Sequence, residues 1–135
     1  MNKLPTFAFR NLKNLENVIV FCEGASISEH TRLFNLPNKL FANVKHSLKS
    51  LSIESIGVRE LPKNIFHDNF GMLKSFSLSG YMFQELPETI FRDTRNIREL
   101  ITNNNLNFLP SSLYKNFKEL EILDLSHNKF WDIYL

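Results

Sequence analysis

The apolar positions of this chain recur in a fixed order that is neither helical nor simply alternating. Towards the C-terminus, Leu120, Leu123, Leu125, Asn128, Phe130 and Ile133 follow the spacing L-x-x-L-x-L-x-x-N-x-F-x-x-I. The same spacing returns at Leu48, Leu51, Ile53, Ile56, Val58 and Leu61, and again at Leu73, Phe76, Leu78, Tyr81, Phe83 and Leu86. Leu15, Val18 and Val20 start it once more, with Glu23 where asparagine is expected. Two apolar residues two apart lie on one face of a strand. Each segment therefore predicts a strand of about four residues, stacked in parallel on that of the next segment. In the last, Leu123 and Leu125 point inward and are expected to be fully inside, while Ile122 and Asp124 point outward.

A second pattern punctuates the first. All five prolines follow a leucine, as Leu4-Pro5, Leu36-Pro37, Leu61-Pro62, Leu86-Pro87 and Leu109-Pro110. Five positions past those leucines stand Phe9, Phe41, Phe66, Phe91 and Tyr114, each preceded by Ala8, Leu40, Ile65, Ile90 or Leu113. The pairs are 32, 25, 25 and 23 residues apart, and a period in the twenties indicates a solenoid. Proline disfavours helix at the residue before it and has no N–H to donate, so Leu-Pro ends the extended path. The chain then crosses behind the sheet, and the five rings are expected to form a stacked column there.

The fourth segment, "NIRELITNNNLNFLP", is one residue short. If Ile97 and Leu100 keep register, Thr102 faces inward and the turn tightens; if Asn104, Leu106 and Leu109 keep it, Glu99 is buried. An unpaired buried carboxylate is costly, which favours the first register with a slip in the triple-Asn turn. Asparagine just after a strand satisfies backbone groups of neighbouring turns. Glu23, Ile56 and Tyr81 take its place in the first three turns, so the expected asparagine ladder is half missing. Leu36 stands thirteen positions past Glu23 where the regular spacing gives five, and the surplus, which includes "GASISEHT", reads as a loop.

The spacing L-x-x-L-x-L-x-x-N-x-L is the signature of the leucine-rich repeat, which the segments resemble. The phrase Pro-x-x-aliphatic-Phe resembles the extracellular type of that repeat. Within it, "LPETIFRDTRNIREL" and "LPSSLYKNFKELEILDLSHNKF" look most like the ectodomain of an insect Toll or Toll-like receptor. The resemblance implies an α/β leucine-rich repeat solenoid. It would be curved, with short parallel strands on the concave face and loops and short helical turns on the convex face. Residues 1–135 would form one domain of about five repeats, lacking the terminal units that close a solenoid, as an uncapped slice of a longer array. Apolar edges are then expected at Leu4, Phe7, Leu12 and Leu15 and at Phe130, Ile133 and Leu135. For such a receptor the resemblance implies a cystine-knot cytokine or microbial ligand, receptor dimerisation, and an extracellular or cell-surface place.

Charge narrows the partners. Sixteen basic and fourteen acidic side chains give a formal charge of +2, with no footprint for nucleic acid or an anionic membrane. No run approaches the length of apolar chain that spans a bilayer, and no apolar core of a secretory signal stands at the N-terminus. Cys22 is the only cysteine and Asn-x-Ser/Thr does not occur. Both favour an alternative: a cytoplasmic leucine-rich repeat scaffold, or the substrate-recognition subunit of a ligase.

No catalytic or phosphate-binding motif is present, so no catalytic, cofactor-binding or metal residue is assigned and the chain is not read as an enzyme. His30 near Glu29 and Cys22 reads as a surface histidine and a lone thiol; Arg92, Arg95 and Arg98, among Glu88 and Asp93, read as a solvated convex surface. The functional surface is therefore the outward face of the sheet, with Ser50, Ser52, Ser75, Ser77, Glu99, Ile101, Ile122 and Asp124 as candidate protein-binding residues beside Asn17 and Ile19.

Overall fold

The period-two alternation becomes strand wherever the repeat predicts it. A computed structural model describes residues 5, 7–22, 36–55, 60–68, 70–80 and 83–130. Its strands are β1 (Asn17–Cys22), β2 (Ser50–Ser55), β3 (Ser75–Ser79), β4 (Glu99–Asn103) and β5 (Ile122–Asp124). They form one parallel sheet in chain order. Among the described residues, one helix, α1 (Ser111–Asn116), and a 3-10 turn at Ala42–Val44 lie in the connections. The architecture is α/β, a repeat solenoid of parallel strands.

Register turns the repeat into rows. Val18, Leu51, Phe76, Leu100 and Leu123 stand side by side, as do Val20, Ile53, Leu78 and Thr102. In the three middle strands both rows are fully buried. The rows are joined at their entry by backbone bonds from Lys49, Lys74, Arg98 and Glu121 N–H to the carbonyls of Glu16, Lys49, Lys74 and Arg98. Each repeat thus starts on the one before it.

The Leu-Pro pairs set the return. The carbonyls of Pro5, Pro37, Pro62, Pro87 and Pro110 each accept from the N–H three residues on, at Ala8, Leu40, Ile65, Ile90 and Leu113. Proline at the head of such a turn has its φ already fixed. The turn carries Leu40 and Phe41, Ile65 and Phe66, and Ile90 and Phe91 into the core together.

The ring column differs from expectation in two ways. The rings interleave with others instead of stacking in sequence. Phe9 lies on Phe41 at 5.5 Å, but Phe66 meets strand residue Phe76 edge-on at 5.1 Å, and Phe76 meets Phe91 at 6.2 Å. Tyr114 is not in the column; it is 71% exposed, and Phe117 packs on Phe91 at 4.9 Å in its stead. The cause is α1. Adjacent residues on a helix diverge, while residues four apart share a face, so with Leu113 buried Tyr114 turns out and Phe117 turns in. Tyr114→Ala should change stability by less than about 0.5 kcal/mol, and Phe117→Ala, half-buried, should cost about 1–2 kcal/mol, both read from urea melts.

The expectation that Leu123 and Leu125 are fully inside is also corrected. Leu123 points inward but is 44% exposed, and Leu125 is half-buried. A neighbouring strand covers each row position on both sides in the middle of the sheet, and among the described residues β5 pairs with β4 alone. Of the expected apolar edges, Phe7 and Leu12 are exposed, Leu15 and Phe130 are half-buried, and Leu4, Ile133 and Leu135 lie outside the described residues.

The short segment keeps the favoured register. Ile97, Leu100, Thr102, Asn104 and Leu106 are all buried, and Glu99 faces out. The slip falls between Thr102 and Asn104, and it leaves the Asn104 and Asn128 rungs of the ladder in place. Asn128 Nδ2 donates to the carbonyls of Thr102 and Leu125, and its Oδ1 accepts from the N–H of Asn104 (3.1 Å) and Leu106 (3.2 Å). Asn104 Nδ2 repeats the step one repeat back, donating to the Leu78 carbonyl at 2.9 Å. Glu23, Ile56 and Tyr81, the substitutes for asparagine, lie outside the described residues, as does the loop at 24–31.

Candidate functional site

The face opposite the core is built by the same alternation. Outward residues form three rows: Asn17, Ser50, Ser75, Glu99 and Ile122; Ile19, Ser52, Ser77, Ile101 and Asp124; and Phe21, Glu54, Ser79 and Asn103. All eight candidate residues stand in the first two rows, on one continuous surface that no other described element covers. The third row was missed, although alternation through "NVIVFC" carries the outward face two residues beyond Ile19 to Phe21. Ile19 is 79% exposed, Phe21 59% and Ile122 52%. Large apolar groups on an open face are more informative than scattered ones. They lie at the two ends of the sheet, with half-exposed serines between them.

The polar groups hold one another in place. Ser75 Oγ donates to Glu99 Oε2 at 2.9 Å, and Ser126 Oγ lies 3.1 Å from Asn103 Oδ1. The Asp124 carboxylate accepts from the Ser126 N–H at 2.9 Å. Its pKa is lowered from the ordinary value, first by the Ser126 side-chain hydrogen bond and then by the backbone one. A depressed folded pKa means a contribution present above the unfolded pKa and lost as pH falls through the folded one. The group therefore stays charged across the neutral range. In an NMR titration, Asp124 should titrate below a peptide aspartate, and Ser126→Ala should move it back up.

Along the strand entry runs a charged rim of Glu16, Lys49, Lys74, Arg98 and Glu121. Lys49 pairs with Glu16 at 2.8 Å and Arg98 with Glu121 at 3.6 Å, both exposed and so of small energy. Lys74 has no ion pair among the described residues. On the opposite edge, Leu61-Pro62 and Leu86-Pro87 border an open groove of about 730 Å³ with Glu60, Glu85 and Phe108.

Nothing in this arrangement converges on a reacting atom. Among the described residues no group of three or more His, Cys, Asp or Glu could hold a metal. His67 Nδ1 lies 2.6 Å from Asp68 Oδ1, whose pKa it lowers, while His46 and His127 are exposed and elsewhere. His30, of the Cys22 and Glu29 grouping, lies outside the described residues. No described helix is long and apolar enough to cross a membrane.

No protein-family model matches the chain. No curated protein matches it significantly. Solved structures do. A structure of the Drosophila Toll–Spatzle complex, described as a molecular hub in development and innate immunity, aligns over 95% of this chain with a TM-score of 0.62 and 23% identity. The glycosylated form of that complex aligns over 90% with a TM-score of 0.55 and 22% identity. The chain spans 19% of the matched chain in each. At that identity the likeness is one of fold, and it agrees with the strand-by-strand register: this chain is a parallel-strand repeat solenoid of the kind found in the Toll–Spatzle complex.

Proposed function

We propose that this chain is a protein-binding leucine-rich repeat module, one domain of about five repeats of the extracellular type. In this reading it belongs to a cell-surface or secreted receptor of Toll-like innate immune signalling. Its ligand is a protein, and dimerisation occurs through the parent receptor. The reading rests on one observation above the rest. Register lines Ser50, Ser75, Glu99 and Ile122, and Ser52, Ser77, Ile101 and Asp124, into rows on a single open sheet face. An open face with exposed isoleucines and hydrogen-bonded polar groups has the anatomy of an interface core within a polar rim. It offers no nucleophile–base pair, so recognition and not catalysis is its chemistry.

The single cysteine supports a second reading, the cytoplasmic scaffold or ligase subunit. Fractionation of cells expressing the tagged parent protein separates the two. A parent found only in cytosol would rule out the receptor.

Spatzle, named with Toll in the similar structures, is the first probe. Ser77→Arg, Ile101→Arg and Ile122→Glu each place a charge on the outward face and should weaken its binding about tenfold or more. Lys63→Glu and Arg92→Glu, on the return segments, should change it less than about twofold. Circular dichroism checks each fold. Binding abolished by the return-segment changes and not by the sheet changes would move the site off the sheet. No Spatzle binding at all would remove the Toll-like version and leave the broader one.

A further inference from the structure

The outward face has a charge asymmetry that the candidate residues alone conceal. Across the three rows of outward strand positions stand three carboxylates, Glu54, Glu99 and Asp124, and not one lysine, arginine or histidine. Among the described residues, Lys49, Lys74 and Arg98 stand on the rim ahead of the strands, and His127 stands near Asp124. Lys49 and Arg98 already face Glu16 and Glu121. The carboxylates are spread along the sheet, on β2, β4 and β5, and so form no single ion-binding cluster. Asp124 is held ionised by Ser126, and Glu99 is oriented by Ser75.

The apolar groups are spaced as well. Ile19 and Phe21 project from β1, and Ile101 and Ile122 from β4 and β5. Four strand spacings separate β1 from β5, a span of about 19 Å, which an extended chain covers in about six residues. Between them the outward positions of β2 and β3 hold serines, save for Glu54 at the edge. Serine side chains are short, so a crossing backbone can come close to the sheet there.

We infer that the outward face binds a cationic polypeptide segment: one with lysine or arginine lying between two apolar residues about six positions apart, running across the strands. One apolar residue seats against Ile19 and Phe21, the other against Ile101 and Ile122. Basic residues between them meet Glu54, and basic residues beside the second anchor meet Glu99 and Asp124. This rests on the sheet-face reading above and adds the chemistry of the partner to it. Apolar contact supplies the anchors, and charge selects the sequence and speeds encounter.

Random peptides of about 12 residues, long enough to span the face, are displayed on phage and selected against the immobilised full chain. The expected winners carry Lys or Arg between apolar residues spaced about five to seven apart. Synthetic versions should bind Phe21→Arg and Ile101→Arg about tenfold or more weakly. They should bind the Glu99→Gln/Asp124→Asn pair about threefold or more weakly, and lose affinity between about 50 and about 300 mM NaCl. Phe21→Ser and Ile101→Ser, milder changes, guard against a variant that fails to fold. Neutral or acidic winners that are still lost on Phe21→Arg and Ile101→Arg would overturn the cationic chemistry and leave the sheet face as the site. Winners indifferent to every sheet variant, or no winners, would overturn both.

Discussion

Phe76→Ala should destabilise the chain by about 3–5 kcal/mol, the cost of removing a large ring from a packed core. The ring is fully buried in the middle strand, between Leu51 and Leu100, which are fully buried too. It meets Phe66 at 5.1 Å and Phe91 at 6.2 Å, both edge-on, so two aromatic contacts are lost beyond the buried area. A domain of this size has about 5–15 kcal/mol of stability in all. In a solenoid each repeat leans only on its neighbours, so a defect at the centre also uncouples the two halves. The urea transition should therefore broaden as well as move. Leu123→Ala is the matched comparison, because Leu123 holds the same row position on β5 but is half-exposed. The repeat spacing assigns it about 2–5 kcal/mol; its exposure lowers that to about 1 kcal/mol. Equal losses at the two positions would mean that β5 is covered as fully as β3, and a loss below about 1 kcal/mol for Phe76→Ala would contradict the core.

That contrast shows what a repeat pattern encodes. Alternation states which way a side chain points, and it does so for every described strand, down to the slip between Thr102 and Asn104. There the cost of burial decides, because the competing register buries Glu99 without a partner. Alternation is silent on what lies over a side chain. Leu123 points inward by rule and is exposed by position, a fact of the sheet and not of its own segment.

Tyr114 failed for a different reason. The ring after Leu-Pro is inward when the return is a tight turn, as at Phe41, Phe66 and Phe91. After Pro110 the chain runs "SSLYKN" as a helix, which brings in the residue four past Leu113 instead. The signal was present: Phe117 sits at that spacing, with no glycine or proline between it and Leu113. The candidate face was half legible. Its first two rows follow from the strand spacing, but the third needs strand lengths, and β1 and β2 run to six residues where about four suffice for the motif. Phe21 and Glu54, which the cationic-partner inference needs, lie in those extra residues.

The asparagine rung gives the second large effect. Asn128→Ala should cost about 2–4 kcal/mol, because several backbone groups lose a partner at once at about 1–3 kcal/mol for each one left buried. The groups are the carbonyls of Thr102 and Leu125 and the N–H groups of Asn104 and Leu106. Asn128 is half-exposed, so water reaches some of them, which keeps the sum well below its ceiling. Asn104→Ala strips the Leu78 carbonyl alone of the partner seen here and should cost less. Asn128→Asp is the sharper probe. It keeps an acceptor for the N–H groups of Asn104 and Leu106 but sets an oxygen against two carbonyl oxygens. The neutral carboxyl can donate to one of these; the ionised form repels both. Its folded pKa should then be raised above that of a peptide aspartate. The sign follows from linkage: the unfolded chain releases this proton first, so the variant loses stability as pH rises through the range between the two pKa values. Asn128→Ala, measured at the same pH values, subtracts the opposite trend of Asp68 and Asp124, whose pKa values are lowered. If Asn128→Asp and Asn128→Ala run parallel from acid to neutral pH, Asn128 does not bond the two carbonyls and the ladder is not what joins the last two repeats.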